Sequence, residues 1–111
     1  MNDLVSIEAE LVRLSSNLNI LVDEFEGICR AAADSRTDYD QEWAKALLRA
    51  DNGTQEIKKA EATRSCEKYM REARVAEAIR DATKERIRAI EAMLTVHQSR
   101  LKFLDESKRS F

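Results

Sequence analysis

The stretch LLRADNGTQEI, Leu47 to Ile57, holds Gly53, one of two glycines in a chain of 111 residues that has no proline. Gly53 can take the left-handed conformation that ends a helix. Thr54 can then accept a hydrogen bond from the free amides of a following helix, and Glu56 suits the first turn of that helix. Asp51–Thr54, DNGT, therefore reads as a helix stop joined to a helix start, close to the midpoint of the chain. One central turn makes two arms of about 50 residues, each ~75 Å long if helical.

Both arms carry the pattern such a turn requires. In the first, Leu4, Ile7, Leu11, Leu14, Leu18, Leu21, Phe25, Ile28 and Ala32 step by three and four. A repeat of ~3.5 residues holds one seam against a partner helix and winds the pair left-handed. The seam weakens through ADSRTDYDQE, Ala33–Glu42, where Asp, Ser and Thr compete for backbone hydrogen bonds. It resumes at Tyr39, Trp43, Leu47 and Ala50. With no glycine or proline in that stretch, one long helix with a soft middle is preferred to two. Gly27 marks either close approach of a neighbouring helix or, as the commoner case, a tolerated defect costing about 1 kcal/mol relative to Ala.

The second arm continues with Ala62, Cys66, Tyr69, Ala73, Ala76, Arg80, Thr83, Ile87, Ile90, Leu94, His97, Leu101 and Leu104. Folding at Asn52 or Gly53 places Leu101 near Leu4, Leu94 near Leu11, Ile87 near Leu18 and Ala73 near Ala32. The expected fold is all-α: one domain over 1–111, a long antiparallel hairpin with arm 1 over about 3–51, a turn at 51–54 and arm 2 over about 55–108. Composition agrees, since 36% of residues are charged and only 5% aromatic, which leaves little material for a sheet. Apolar content of 43% with a net charge of −2 argues against obligate disorder.

A second stripe lies beside the seam of arm 2. Val75, Ala82, Ala89, Val96 and Phe103 recur every seven residues, flanked by Ile79 and Met93. A lone hairpin leaves these side chains in water, and contiguous exposed apolar surface marks a partner interface. Two helices alone also have little core. The expectation is a homo-oligomer in which hairpins assemble into a helical bundle through this stripe.

Charge is divided between the arms: residues 1–50 carry a net −5 and residues 51–111 a net +3. The plainer reading is attraction within the hairpin, with Asp23, Glu24 and Glu26 facing Arg80 and Lys84. The sharper one notes that Arg64, Lys68 and Arg71 share one face near the turn and suit phosphate contact. Tyr39, Trp43 and Tyr69 lie nearby as stacking groups for single-stranded nucleic acid. Core packing across the hairpin is the plainer role for these aromatics.

Catalytic chemistry finds no support. There is no nucleophile, base and orienter set, no phosphate-binding glycine loop, and no cluster with metal-ligand spacing. Neither a cofactor nor a metal is expected, and the protein reads as no enzyme. His97 sits in the seam, where a lone histidine is a packed residue with one satisfied nitrogen. Cys29 and Cys66 are too few and too far apart for a disulfide framework or a zinc site. No apolar run approaches the ~18–20 residues that span a bilayer, and the acidic start MNDLVSIEAE is unlike a secretory signal. The expected setting is the cytoplasm, without membrane contact.

At AAADSRTDYDQEWAKALLRADNGTQEIKKAEA, from Ala31, and at AIRDATKERIRAIEAMLTVHQSRLKFL, ending at Leu104, the chain resembles the small helical accessory proteins of bacteriophage recombination gene clusters. More distantly it resembles the UvsY-like recombination mediators. The likeness lies in helix order, the Tyr and Trp before the turn, and a basic, apolar last helix ending in Arg100, Lys102 and Phe103. It implies a non-enzymatic oligomer in the host cytoplasm that binds single-stranded DNA and assists a recombinase or annealing partner. This chain departs from the pattern in being net acidic, shorter, and without a dense basic loop. The alternative from another class is a pure protein-binding module, such as a phage inhibitor of a host factor or a small scaffolding subunit. A secreted helical hairpin with a Trp-x-Gly turn is excluded, because Trp43 is followed by Ala44 and Lys45.

Overall fold

A computed structural model of the chain describes residues 3–109. Among these it forms three helices and no strand: α1 (Asp3–Arg49), α2 (Gln55–Ser65) and α3 (Glu67–Arg109). The turn between α1 and α2 is built as its sequence dictates. Gly53 has φ +101°, the Thr54 hydroxyl accepts from the Ile57 amide at 3.3 Å, and Glu56 lies in the first turn of α2. Ile57 folds back over the glycine so closely that a Cβ at position 53 would lie 3.0 Å from its Cγ2.

α1 runs without interruption through Ala33–Glu42. The soft middle is held because seam residues flank and punctuate it: Ala32 is buried, and Tyr39 and Trp43 are half-buried. All the seam residues named above, on both arms, are buried or half-buried. At Gly27 an added Cβ would meet no atom within 4 Å, so no neighbouring helix in this chain requires the glycine.

The chain packs as two compact units, one of Met1–Phe25 with Ala82–Phe111, the other of Glu26–Asp81. In the first, α1 contributes the buried Ile7, Leu14 and Leu21, and α3 the buried Thr83. Leu4 and Leu101 line one surface groove there, and Leu21 shares another with Arg86 and Ile90. These are the neighbours an antiparallel pairing predicts. In the second unit the core is made of small side chains, Ala32, Ala62, Cys66 and Ala73. Trp43 and Thr63, ten residues on either side of Gly53, meet there through a hydrogen bond of 3.2 Å.

Arm 2 departs from the expected single helix, being interrupted at Cys66. This residue leaves helical geometry at φ −106°, ψ 14°, and its amide is shared between the carbonyls of Ala62 at 3.1 Å and Thr63 at 3.3 Å. The cause lies in TRSC, Thr63–Cys66. The Thr63 hydroxyl donates to the Lys59 carbonyl at 2.9 Å, and the Ser65 hydroxyl donates to the Ala62 carbonyl at 3.1 Å. Such back-bonding draws on carbonyls that the helix ladder uses and bends the helix. The ladder resumes as the Met70 amide bonds the Cys66 carbonyl at 3.0 Å.

Candidate functional site

Arg64 closes α2, while Lys68 and Arg71 lie in the first turns of α3, on either side of the Cys66 break. All three are exposed, and none forms an ion pair or hydrogen bond with the described residues. Arg71 also borders an open groove of about 500 Å³ lined by Thr63, Glu67, Met70, Arg71, Arg74, Val75 and Ala78. The groove combines an apolar lining from Met70, Val75 and Ala78 with two guanidinium groups. It belongs wholly to α2 and the start of α3.

The aromatics near the turn are all half-buried. Trp43 is half-buried and its Nε1 donates to Thr63 Oγ1. Tyr39 is half-buried beneath the Arg36 guanidinium, which stands 5.6 Å from its ring centroid. Tyr69 is half-buried in the seam.

Arg36 anchors a polar cluster that the sequence pattern did not single out. Its Nε donates to Glu77 Oε2 at 2.9 Å and its Nη2 to Glu77 Oε1 at 2.7 Å, a two-point bridge between α1 and α3, while Nη1 lies 3.8 Å from Met70 Sδ. The hydrogen bond from Arg36 holds the Glu77 carboxyl below the usual carboxylate range, and the same bond raises the Arg36 guanidinium. A search for a long-range acid and base pair on matching sides of the two seams would have found it.

The expected pairing of Asp23, Glu24 and Glu26 with Arg80 and Lys84 is not how these charges are bridged. Glu26 accepts from Arg30 at 2.9 Å and Arg80 bonds its neighbour Asp81 at 3.0 Å. Glu10 likewise bonds Arg13, whose hydrogen bond lowers the Glu10 carboxyl. Glu10 and Glu26 find partners three or four residues away on the same helix, and Arg80 finds one in its neighbour, so none of these three charges crosses the seam.

The stripe on α3 is exposed along its length. In the second unit Val75 is 55% and Ile79 50% exposed; in the first, Ala82, Ala89, Met93, Val96 and Phe103 are all exposed, Phe103 at 68%. α1 adds exposed Val5, Val12, Ile20 and Val22. His97 is half-buried, as a seam residue should be, and its buried Nδ1 finds no hydrogen-bond partner among the described residues. Cys29 and Cys66 are both free. Among the described residues no group of three or more His, Cys, Asp or Glu is placed to hold a metal ion, and no helix is long and apolar enough to cross a membrane.

No family model, curated protein or solved structure matches this chain.

Proposed function

We propose that this chain is a non-enzymatic helical assembly module whose copies associate through the apolar stripe of α3. The observation that carries this reading is the exposure of Val75, Ile79, Met93, Val96 and Phe103 along one face of one helix. Fully burying a large apolar side chain contributes ~1.5–3 kcal/mol, whereas association costs ~4–15 kcal/mol in lost freedom. One or two exposed side chains would not suffice, but a recurrent stripe can. Val75→Glu with Val96→Glu would bury unpaired charges at several kcal/mol each. Light scattering should then report a smaller species than wild type. A wild-type protein that is a single chain at micromolar concentration refutes the reading.

A second reading is favoured by the unpaired cations at Arg64, Lys68 and Arg71: this face contacts the phosphates of single-stranded DNA. With the resemblance to phage recombination accessory proteins, it would place the oligomer in the host cytoplasm beside a recombinase or annealing protein. If three phosphates are contacted, log affinity falls with log salt at about −0.7 per contact. Changing all three residues to Gln should flatten that slope and weaken binding alike for all sequences, since phosphate contacts carry no base information. Oligonucleotide anisotropy at several salt concentrations measures both. No binding by wild type at low salt leaves the protein-binding module as the account.

A further inference from the structure

We infer that the groove of Met70, Arg71, Arg74, Val75 and Ala78 receives the outer face of α1, centred on Val5 and Val12, from a second copy of the chain. The inference rests on the self-assembly reading and names the surface that the exposed end of the stripe meets.

Charge separates the two faces. The arms carry −5 and +3, and the bridges at Glu10–Arg13 and Glu26–Arg30 leave that imbalance in place because each joins residues of the same arm. Across the seam of the second unit, Arg36–Glu77 pairs the minority sign of each arm and so uncovers more of the majority sign. At 100° per residue, Val5, Glu8, Ala9, Val12 and Asp23 fall on one side of α1. All five are exposed, with Val12 at 68%. From Val5 to Asp23 that face has an apolar centre and only acids as its charged groups; the next cation on the same azimuth, Arg30, is bridged to Glu26. On α3 the same construction gives Lys68, Arg71, Arg74, Val75 and Ala78, exposed together with one acid, Glu67, and with Met70 half-buried at the groove edge. This face has an apolar centre bordered mainly by cations.

Neither face suits itself. Were either patch to meet its own copy across a two-fold axis, Arg71 and Arg74 would meet cations and Glu8 would meet acids, and like charges brought together are penalised. Placed against each other, the two faces bury apolar on apolar with opposite charge at the border. Every chain carries one of each, so each copy can both offer its α1 face and receive one in its groove.

The test uses two full-length variants. Val12→Glu spoils the α1 face and leaves the groove intact; Arg71→Glu with Arg74→Glu spoils the groove and leaves α1 intact. Circular dichroism checks that both stay helical, and Val12→Ser replaces Val12→Glu should the latter lose helicity. Sedimentation velocity then reads size for each protein and for an equal mixture. Wild type should be multi-chain and should shrink as salt is raised. Each variant alone should associate at least ten-fold more weakly. The mixture should yield pairs holding one chain of each variant, because one good groove and one good α1 face remain between them. Wild type that assembles while either variant assembles equally well, or a mixture that forms no pair, overturns this inference and leaves self-assembly through α3 standing. Wild type that is a single chain overturns both. A groove that binds oligonucleotide while the Val12 variant assembles normally assigns the cations to nucleic acid instead.

Discussion

Alanine at the two glycines is expected to move stability in opposite directions. Inside α1, a Cβ at position 27 meets no atom within 4 Å, and the position is exposed. Gly27→Ala therefore adds no clash. It removes backbone freedom that the unfolded chain enjoys, a gain of about 1 kcal/mol in a helix interior. At position 53 φ is +101° and the new Cβ would stand 3.0 Å from Ile57 Cγ2. Gly53→Ala adds ~1–2 kcal/mol for holding a side chain in left-handed backbone, and Ile57 must also move. Urea denaturation followed by far-ultraviolet circular dichroism measures both. With a slope of ~1–3 kcal/mol per molar urea, Gly27→Ala should raise the midpoint by ~0.3–1 M, and Gly53→Ala should lower it by as much or more. The double variant should fall close to the sum of the two shifts, since the positions share no neighbour. A Gly27→Ala protein less stable than wild type would mean that something occupies the space the structure leaves open. A neutral Gly53→Ala would mean that the turn does not depend on left-handed backbone.

Leu14, 2% exposed, should cost ~2–5 kcal/mol when changed to Ala, while Val22→Ala, at an exposed position of the same helix, should stay within about 0.5 kcal/mol; equal losses in urea melts would contradict the seam assignment. Glu77 titrates below its ordinary value of 4.5 in the folded protein, so its contribution to stability is complete above that pH and is lost as pH falls through the depressed value. Arg36→Gln removes the cause, and acid unfolding of this variant should begin at higher pH than in wild type; coincident acid-unfolding curves would show that the bridge does not form. Cys66, 3% exposed, should resist alkylation in the native state while the half-buried Cys29 reacts first, which peptide mass mapping reads directly; equal rates would place Cys66 at the surface.

The helical pairing was legible because the signals for it are short-range and repeated. A seam recurring every three and four residues is visible without any knowledge of the partner, and DNGT declares its turn through the backbone needs of Gly53 and the capping oxygen of Thr54. The break at Cys66 was not read. No glycine or proline marks it, and it arises from hydroxyls of Thr63 and Ser65 that bond backwards only once the helix exists. Arg36–Glu77 was missed for a different reason. Its members lie 41 residues apart, and their meeting depends on which side of each helix faces which. The unpaired state of Arg64, Lys68 and Arg71 is equally invisible in sequence, because every one of them has acids within reach along the chain.

The interruption at Cys66 also sets how the turn end of the molecule breathes. α2 has eleven residues, fewer than the ~12–15 that make an isolated helix even marginal in water, and Ala62 is its one buried residue. Because the hydrogen-bond ladder is irregular at Cys66, α2 can open without dragging the first turn of α3 with it. What holds it closed is slight: the methyl of Ala62, the bond between Trp43 and Thr63, and the cap at Thr54. Amide protons of α2 should therefore exchange with solvent by local opening, orders of magnitude faster than those near Leu14 or Ala73, which wait for larger unfolding. The same opening would expose the peptide bonds after Lys58, Lys59 and Arg64, making the turn-proximal helix the first place a trypsin-like protease cuts the native chain.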